Sequence, residues 1–137
     1  MLPEELRNLP YLVHTNRELG LMLRGVKPLS SFGSVPGADP DCIVRYLRMF
    51  DRHVELGRFV KRVQTTIISA PKSPYTHIDH IYYALPGEEW RVDAMLELLR
   101  RPGGWSDDRE REFGSLLGYG DWQNDFWLSL YPHRPEP

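Results

Sequence analysis

The run Thr76-His-Ile-Asp-His80 holds the most chemically versatile side chains in this sequence. In an extended strand successive side chains alternate faces, so His77 and Asp79 share one side and His80 takes the other. A same-face histidine and aspartate make an oriented general base, or two ligands of a metal site. A zinc site needs a third or fourth ligand, and no spacing here supplies one, so no metal is expected. A half-exposed sheet surface accounts for the same alternation, with Asp79 paired to Lys61 or Arg62 of a neighbouring strand.

Other reactive types are sparse. Cys42, the single cysteine, falls in the first turn of an expected helix, where the helix end favours a thiolate. Asp39 and Asp41 beside it oppose that effect, and the residue reads as a small hydrophobe rather than a nucleophile. Gly33-Ser-Val-Pro-Gly37 lacks the spacing and lysine of a phosphate loop, and Gly118-Tyr-Gly120 is too short for a dinucleotide fingerprint. Both read as turns, and no cofactor is expected. Glu89, Asp93 and Glu97 recur at four-residue intervals, with Arg101 placed to pair with Glu97 on a solvated helix face.

Charge is distributed unevenly. From Arg45 to Arg62 six basic residues face two acidic ones, and from Trp105 to Pro137 seven acidic residues face three basic ones. Arg45, Arg48 and Arg52 would present a basic helix face able to meet phosphates. The whole-chain net charge of -2 argues against a dedicated nucleic-acid binder. The acidic end contains the aromatic run Tyr119 to Tyr131, in which Trp122, Trp127 and Tyr131 alternate with Asp121 and Asp125. Aromatic rings dominate core and interface energetics. Helical spacing assigns Trp122 and Phe126 to the core and leaves Trp127, Tyr131, Asp121 and Asp125 as a contact surface, unless the acidic end docks internally on the arginine face.

The elements that carry these residues follow from punctuation and periodicity. Thr15-Asn-Arg-Glu18 is a capping box for a first helix ending at Gly25. A strand at about 26–32 contains Pro28, which favours an edge position. Asp39-Pro40 caps a helix burying Ile43, Val44, Leu47, Phe50 and Val54. Strands at about 58–69 and 75–85 read as an antiparallel hairpin with its connection near residues 70–74. Pro86-Gly-Glu-Glu opens a helix whose stripe is Val92, Met95, Leu96 and Leu99, broadened by Trp90, Ala94 and Leu98. Ser106 starts the next helix, Asp121 caps the last, and Pro132 stops it.

The sum is an α+β fold over residues 1–137: a small, mainly antiparallel three-stranded sheet with helices packed on one face and a helical C-terminal third. At 137 residues the chain has the length of a single domain with its own core. No apolar run reaches the roughly 18 residues of a membrane span, no secretory signal precedes the first helix, and a lone cysteine fits a reducing compartment, so a cytoplasmic location is expected. With no complete catalytic constellation, the favoured expectation is a non-catalytic interaction protein of adaptor, inhibitor or immunity type. It would bind another protein through Trp127, Tyr131, Asp121 and Asp125, joined by Trp122 to the extent that the core leaves that ring exposed, and a homodimer would form through this helix or through an exposed sheet edge. The alternatives are a small hydrolase or metal-dependent enzyme centred on His77, Asp79 and His80, and nucleic-acid binding through Arg45, Arg48 and Arg52.

Overall fold

The structure, a computed structural model, describes residues 2–68 and 77–133. It is α+β, with two compact units: Met1–Pro28 together with Asp93–Pro137, and the contiguous stretch Leu29–Val92. Helix α4 (Trp90–Arg100) starts in the contiguous unit and continues in the other.

In the contiguous unit, β1 (Leu29–Ser34), α3 (Asp41–Glu55), β2 (Val60–Ile67) and β3 (His77–Ala84) form a three-stranded antiparallel sheet in the order β1-β3-β2, with α3 packed on it. The expected hairpin of β2 and β3 is present, in a register that pairs Lys61 with Tyr83 and Thr65 with Asp79. Its connection, and strand positions 75 and 76, lie outside the described residues. The first strand is an edge, as Pro28 suggested, but it begins at Leu29. Pro28 offers no ladder donor and ends up just outside the strand.

Phe50 of α3 anchors this core: it is fully buried, 4.7 Å from the ring of Tyr83, 5.1 Å from Phe32 and 5.7 Å from Phe59. The Tyr83 hydroxyl donates to Asp51 Oδ1 at 2.8 Å, and Lys61 Nζ donates to the same oxygen at 2.8 Å. Burial first, and then the Asp51 carboxylate, raise the pKa of that phenol, so it persists as a donor.

The discontinuous unit contains α1 (Glu4–Arg7), α2 (Glu18–Leu23), most of α4, α5 (Asp107–Leu116) and α6 (Asp121–Leu130). Ser106 caps α5 as expected, its hydroxyl accepting from Arg109 N at 3.3 Å. Helices α5 and α6 form an antiparallel pair in which Asp107 accepts from His133 N at one end and Gly114 meets Asn124 at the other. A Cβ on Gly114 would stand 2.1 Å from Asn124 Oδ1. Asn124 is buried and its amide donates to Ser115 Oγ at 3.0 Å, so it has little room to turn away.

Gly114→Ala is therefore expected to destabilise this unit. Overpacking at about 1–3 kcal/mol outweighs the roughly 1 kcal/mol that alanine gains over glycine in a helix. Adding Asn124→Ala should restore part of the loss. Urea unfolding of the single and double variants checks this, and equal midpoints would show that the approach does not limit packing.

Several local expectations differ from what forms. The Thr15-Glu18 capping box is absent: Asn16 has φ 68°, residues 15–17 make a turn, and Arg17 occupies the cap of α2 with no side-chain bond. Asp39 does not cap α3, whose cap is Pro40; its carboxylate instead accepts from Val35 N at 3.0 Å and from the Ser34 hydroxyl. Asp121 is the first residue of α6 rather than its cap. Gly120 holds that place, its N–H bound at 2.8 Å by Gln123 Oε1. On α4 the buried residues are Val92, Met95 and Leu98, while Trp90 and Leu99 are exposed. Asp39 shows one reason: a short polar side chain serves the nearest loop N–H as readily as a helix end.

Candidate functional site

Tyr119 is the hub of the discontinuous unit. Its ring stacks on His14 at 3.8 Å with the planes 9° apart, and its hydroxyl accepts from His14 N at 2.8 Å. Lys27, only 2% exposed, reaches the same spot: Nζ lies 2.8 Å from His14 Nδ1 and donates to the Leu117 carbonyl at 2.7 Å. An ammonium has no acceptor, so His14 Nδ1 accepts and the imidazole proton sits on Nε2. Burial brings Lys27 down to about 8. Burial and then the Lys27 charge bring His14 down to about 4. At neutral pH the pair is thus an ammonium donating to a neutral imidazole.

The connection that supplies the Leu117 carbonyl depends on Gly118. Its φ is 100°, and a Cβ there would lie 2.6 Å from Pro28 Cδ. This position needs both the backbone freedom of glycine and its missing side chain.

Beside this hub, residues before α2 and the α5–α6 pair line a partly open cavity of about 220 Å³. Tyr11, Phe113, Tyr119 and Trp127 contribute rings, Leu6, Val13 and Leu117 aliphatic surface, and Thr15, Glu110 and Asn124 polar groups. The rings are held from behind. Trp127 stands 4.6 Å from Tyr131, and Phe113 meets Trp105 edge-on at 5.9 Å. Glu110 accepts from Trp105 Nε1 and approaches His133 Nε2 at 3.6 Å, both through Oε2.

On the outer side of α6, Trp122, Phe126 and Leu130 recur at four-residue spacing and are 55%, 37% and 50% exposed. Tyr131 is also exposed. This corrects the expectation that Trp122 and Phe126 form core. The residues α6 buries are Asn124 and Leu128, and Trp127, expected in the contact surface with one face turned inward, lines the cavity. Tyr11 supports the exposed stripe edge-on, 5.5 Å from Trp122 and 6.3 Å from Phe126. Asp125 pairs with Arg111, whereas Asp121 has no ion-pair partner among the described residues.

The other sequence candidates are less assembled. His77 and Asp79 share a face, with His77 Nε2 3.8 Å from Asp79 Oδ1. His80 lies on the opposite face, and no group of three or more His, Cys, Asp and Glu side chains able to hold a metal ion occurs among the described residues. Asp79 accepts from Thr65 Oγ1 at 2.8 Å, not from Lys61 or Arg62, because the register sets Thr65 opposite Asp79 and places Lys61 and Arg62 opposite Tyr83 and Tyr82. Arg45, Arg48 and Arg52 are all exposed along α3, and Cys42 is exposed too. The Glu97–Arg101 pair forms as expected, with Glu112 3.0 Å away on the other side of the guanidinium.

Lys27, His14 and Glu110 were missed from sequence. Lys27 fell inside the expected strand at about 26–32 with no role of its own, and His14 lay before the expected helix at Thr15. The one available signal was Gly118-Tyr-Gly120, whose two glycines allow a close backbone approach.

No protein-family model, curated protein or solved structure matches the chain. Among the described residues, no helix is long and apolar enough to cross a membrane.

Proposed function

We propose that this chain is a non-catalytic binding module that docks a basic, amphipathic segment of another protein on the outer face of α6. The observation that carries this reading is the exposed line of Trp122, Phe126 and Leu130. Large rings left in water at helical spacing suit the anchors of a helix-in-groove or helix-on-helix contact, in which Trp and Tyr supply most of the affinity. Asp121 runs alongside with no ion-pair partner among the described residues and favours lysine or arginine on the partner, which at Asp125 would have to compete with Arg111. Tyr131 extends the apolar line. Trp127 contributes from beneath, by fixing Tyr131.

The test uses an amphipathic helical peptide with lysines along one flank, and a matched peptide with glutamates there. Fluorescence titration should show binding of the first only, weakened about tenfold or more by Trp122→Ala and weakened by salt. Equal affinity for both peptides, or no effect of Trp122→Ala, would sink the reading. Light scattering on the same variant reports whether the occupant is instead a second copy, in which case a wild-type dimer dissociates.

A further inference from the structure

The cavity behind α6 has a composition that selects its ligand. Tyr11, Phe113, Tyr119 and Trp127 present ring surface, and Glu110 brings a carboxylate to the same wall. Both contacts of that carboxylate with other described residues fall on Oε2, leaving Oε1 without a partner among them. No lysine or arginine lines the space, so an anion would meet Glu110 with no countercharge. A primary ammonium carries three N–H donors and is strongly hydrated. Besides Glu110, only Thr15, Asn124 and the Tyr11 and Tyr119 hydroxyls offer side-chain acceptor atoms in the lining, the Trp127 indole N–H being a donor alone. Of these, the Tyr119 hydroxyl already accepts from His14 N, and the Asn124 amide nitrogen is spent on Ser115, which leaves its Oδ1 as an acceptor. An alkylated ammonium has positive charge and apolar methyl groups, and needs few or no acceptors. It is the cation that ring faces and a single carboxylate suit best. A volume of about 220 Å³ is below the roughly 300 Å³ at which pockets for drug-sized ligands begin, which limits the occupant to a headgroup.

We propose that this cavity is a binding site for a methylated ammonium group, held by the rings of Tyr11, Phe113, Tyr119 and Trp127 and countered by Glu110. Tyr11 and Trp127 stand between this site and the exposed stripe of α6, but its test uses no variant of that stripe. Two sources present the same headgroup: a free choline-type molecule and a trimethylated lysine side chain.

Calorimetric titration of the full chain with tetramethylammonium, choline and 3,3-dimethylbutanol decides the chemistry, the last being the uncharged carbon counterpart of choline. Both cations should bind, with choline preferred over its neutral counterpart by roughly tenfold. Glu110→Gln keeps an acceptor for Trp105 and should weaken choline about tenfold while leaving the neutral analogue unchanged. A trimethyllysine peptide binding more tightly than choline identifies a protein side chain as the source, and the reverse order identifies a free metabolite. No binding of either cation, or equal binding of choline and 3,3-dimethylbutanol to the wild-type chain, overturns the proposal. The second comparison remains decisive even if Glu110→Gln fails to fold.

Discussion

Replacing Gly118 by alanine is expected to cost the discontinuous unit about 3 kcal/mol, combining backbone strain of about 1–3 kcal/mol with a comparable overpacking term. The strain arises because φ of 100° is a conformation that a side chain resists, and the overpacking because Pro28 Cδ lies 2.6 Å from the new Cβ. A proline ring cannot rotate out of the way as a flexible chain would. Relief by shifting residues 117–119 would displace the Leu117 carbonyl from Lys27 and the Tyr119 ring from His14. Denaturation followed by tryptophan fluorescence is the measurement, since Trp105, Trp122 and Trp127 lie in this unit and Trp90 in the other. Unchanged midpoints would mean the connection accommodates the methyl group. A valine should do worse than alanine.

The second large effect is on pH dependence. His14 falls from 6.5 to about 4 on folding, so between those values the unfolded chain binds a proton that the folded chain refuses. Unfolding free energy therefore rises with pH through that window and is lost on acidification, by on the order of 2–3 kcal/mol. Lys27, lowered from 10.5 to about 8, acts in the same direction at higher pH: its burial cost is fully present below pH 8 and is relieved as pH rises toward 10.5. His14→Asn tests the lower window. An amide oxygen can replace Nδ1 as the acceptor for Lys27, and nothing at that position then titrates. The variant should lose less stability than wild type between pH 6.5 and 4, and parallel stability curves would show that His14 does not carry the linkage.

What could be read from sequence divides along a physical line. Periodic patterns were legible: the α3 stripe of Leu47 and Phe50, and the β2–β3 hairpin, follow from spacing that only one element type satisfies. Caps were not: Asp39 serves the Val35 N–H instead, residues 15–17 turn, and Asp121 falls one place inside α6. The α6 helix is instructive. Trp122 and Phe126 share a face that sequence assigned to the core, since large apolar residues usually point inward. The buried positions are instead Asn124 and Leu128, because Gly114 on α5 allows Asn124 to approach closely. An asparagine chosen over a tryptophan at a helix contact is invisible without knowing which glycine faces it.

The site was harder still. His14, Lys27 and Tyr119 are separated by 13 and more than 90 residues, and their meeting depends on a backbone route rather than on a motif. Lys27 in particular belies its type. A lysine beside Val26, Pro28 and Leu29 reads as a charge leaving an edge strand for water, yet it is buried with two acceptors.

The pairing of Met1–Pro28 with Asp93–Pro137 also sets a timetable. His14 leaves the ribosome 105 residues before Tyr119, an interval of about 5–20 s at ordinary synthesis rates. Throughout it, Leu21, Met22 and Lys27 wait for cover that has not been made, while Leu29–Val92 can complete its sheet from contiguous chain. The segment before Leu29 is made earlier than the sheet and finds its place later, and a nascent-chain chaperone has that interval in which to hold it.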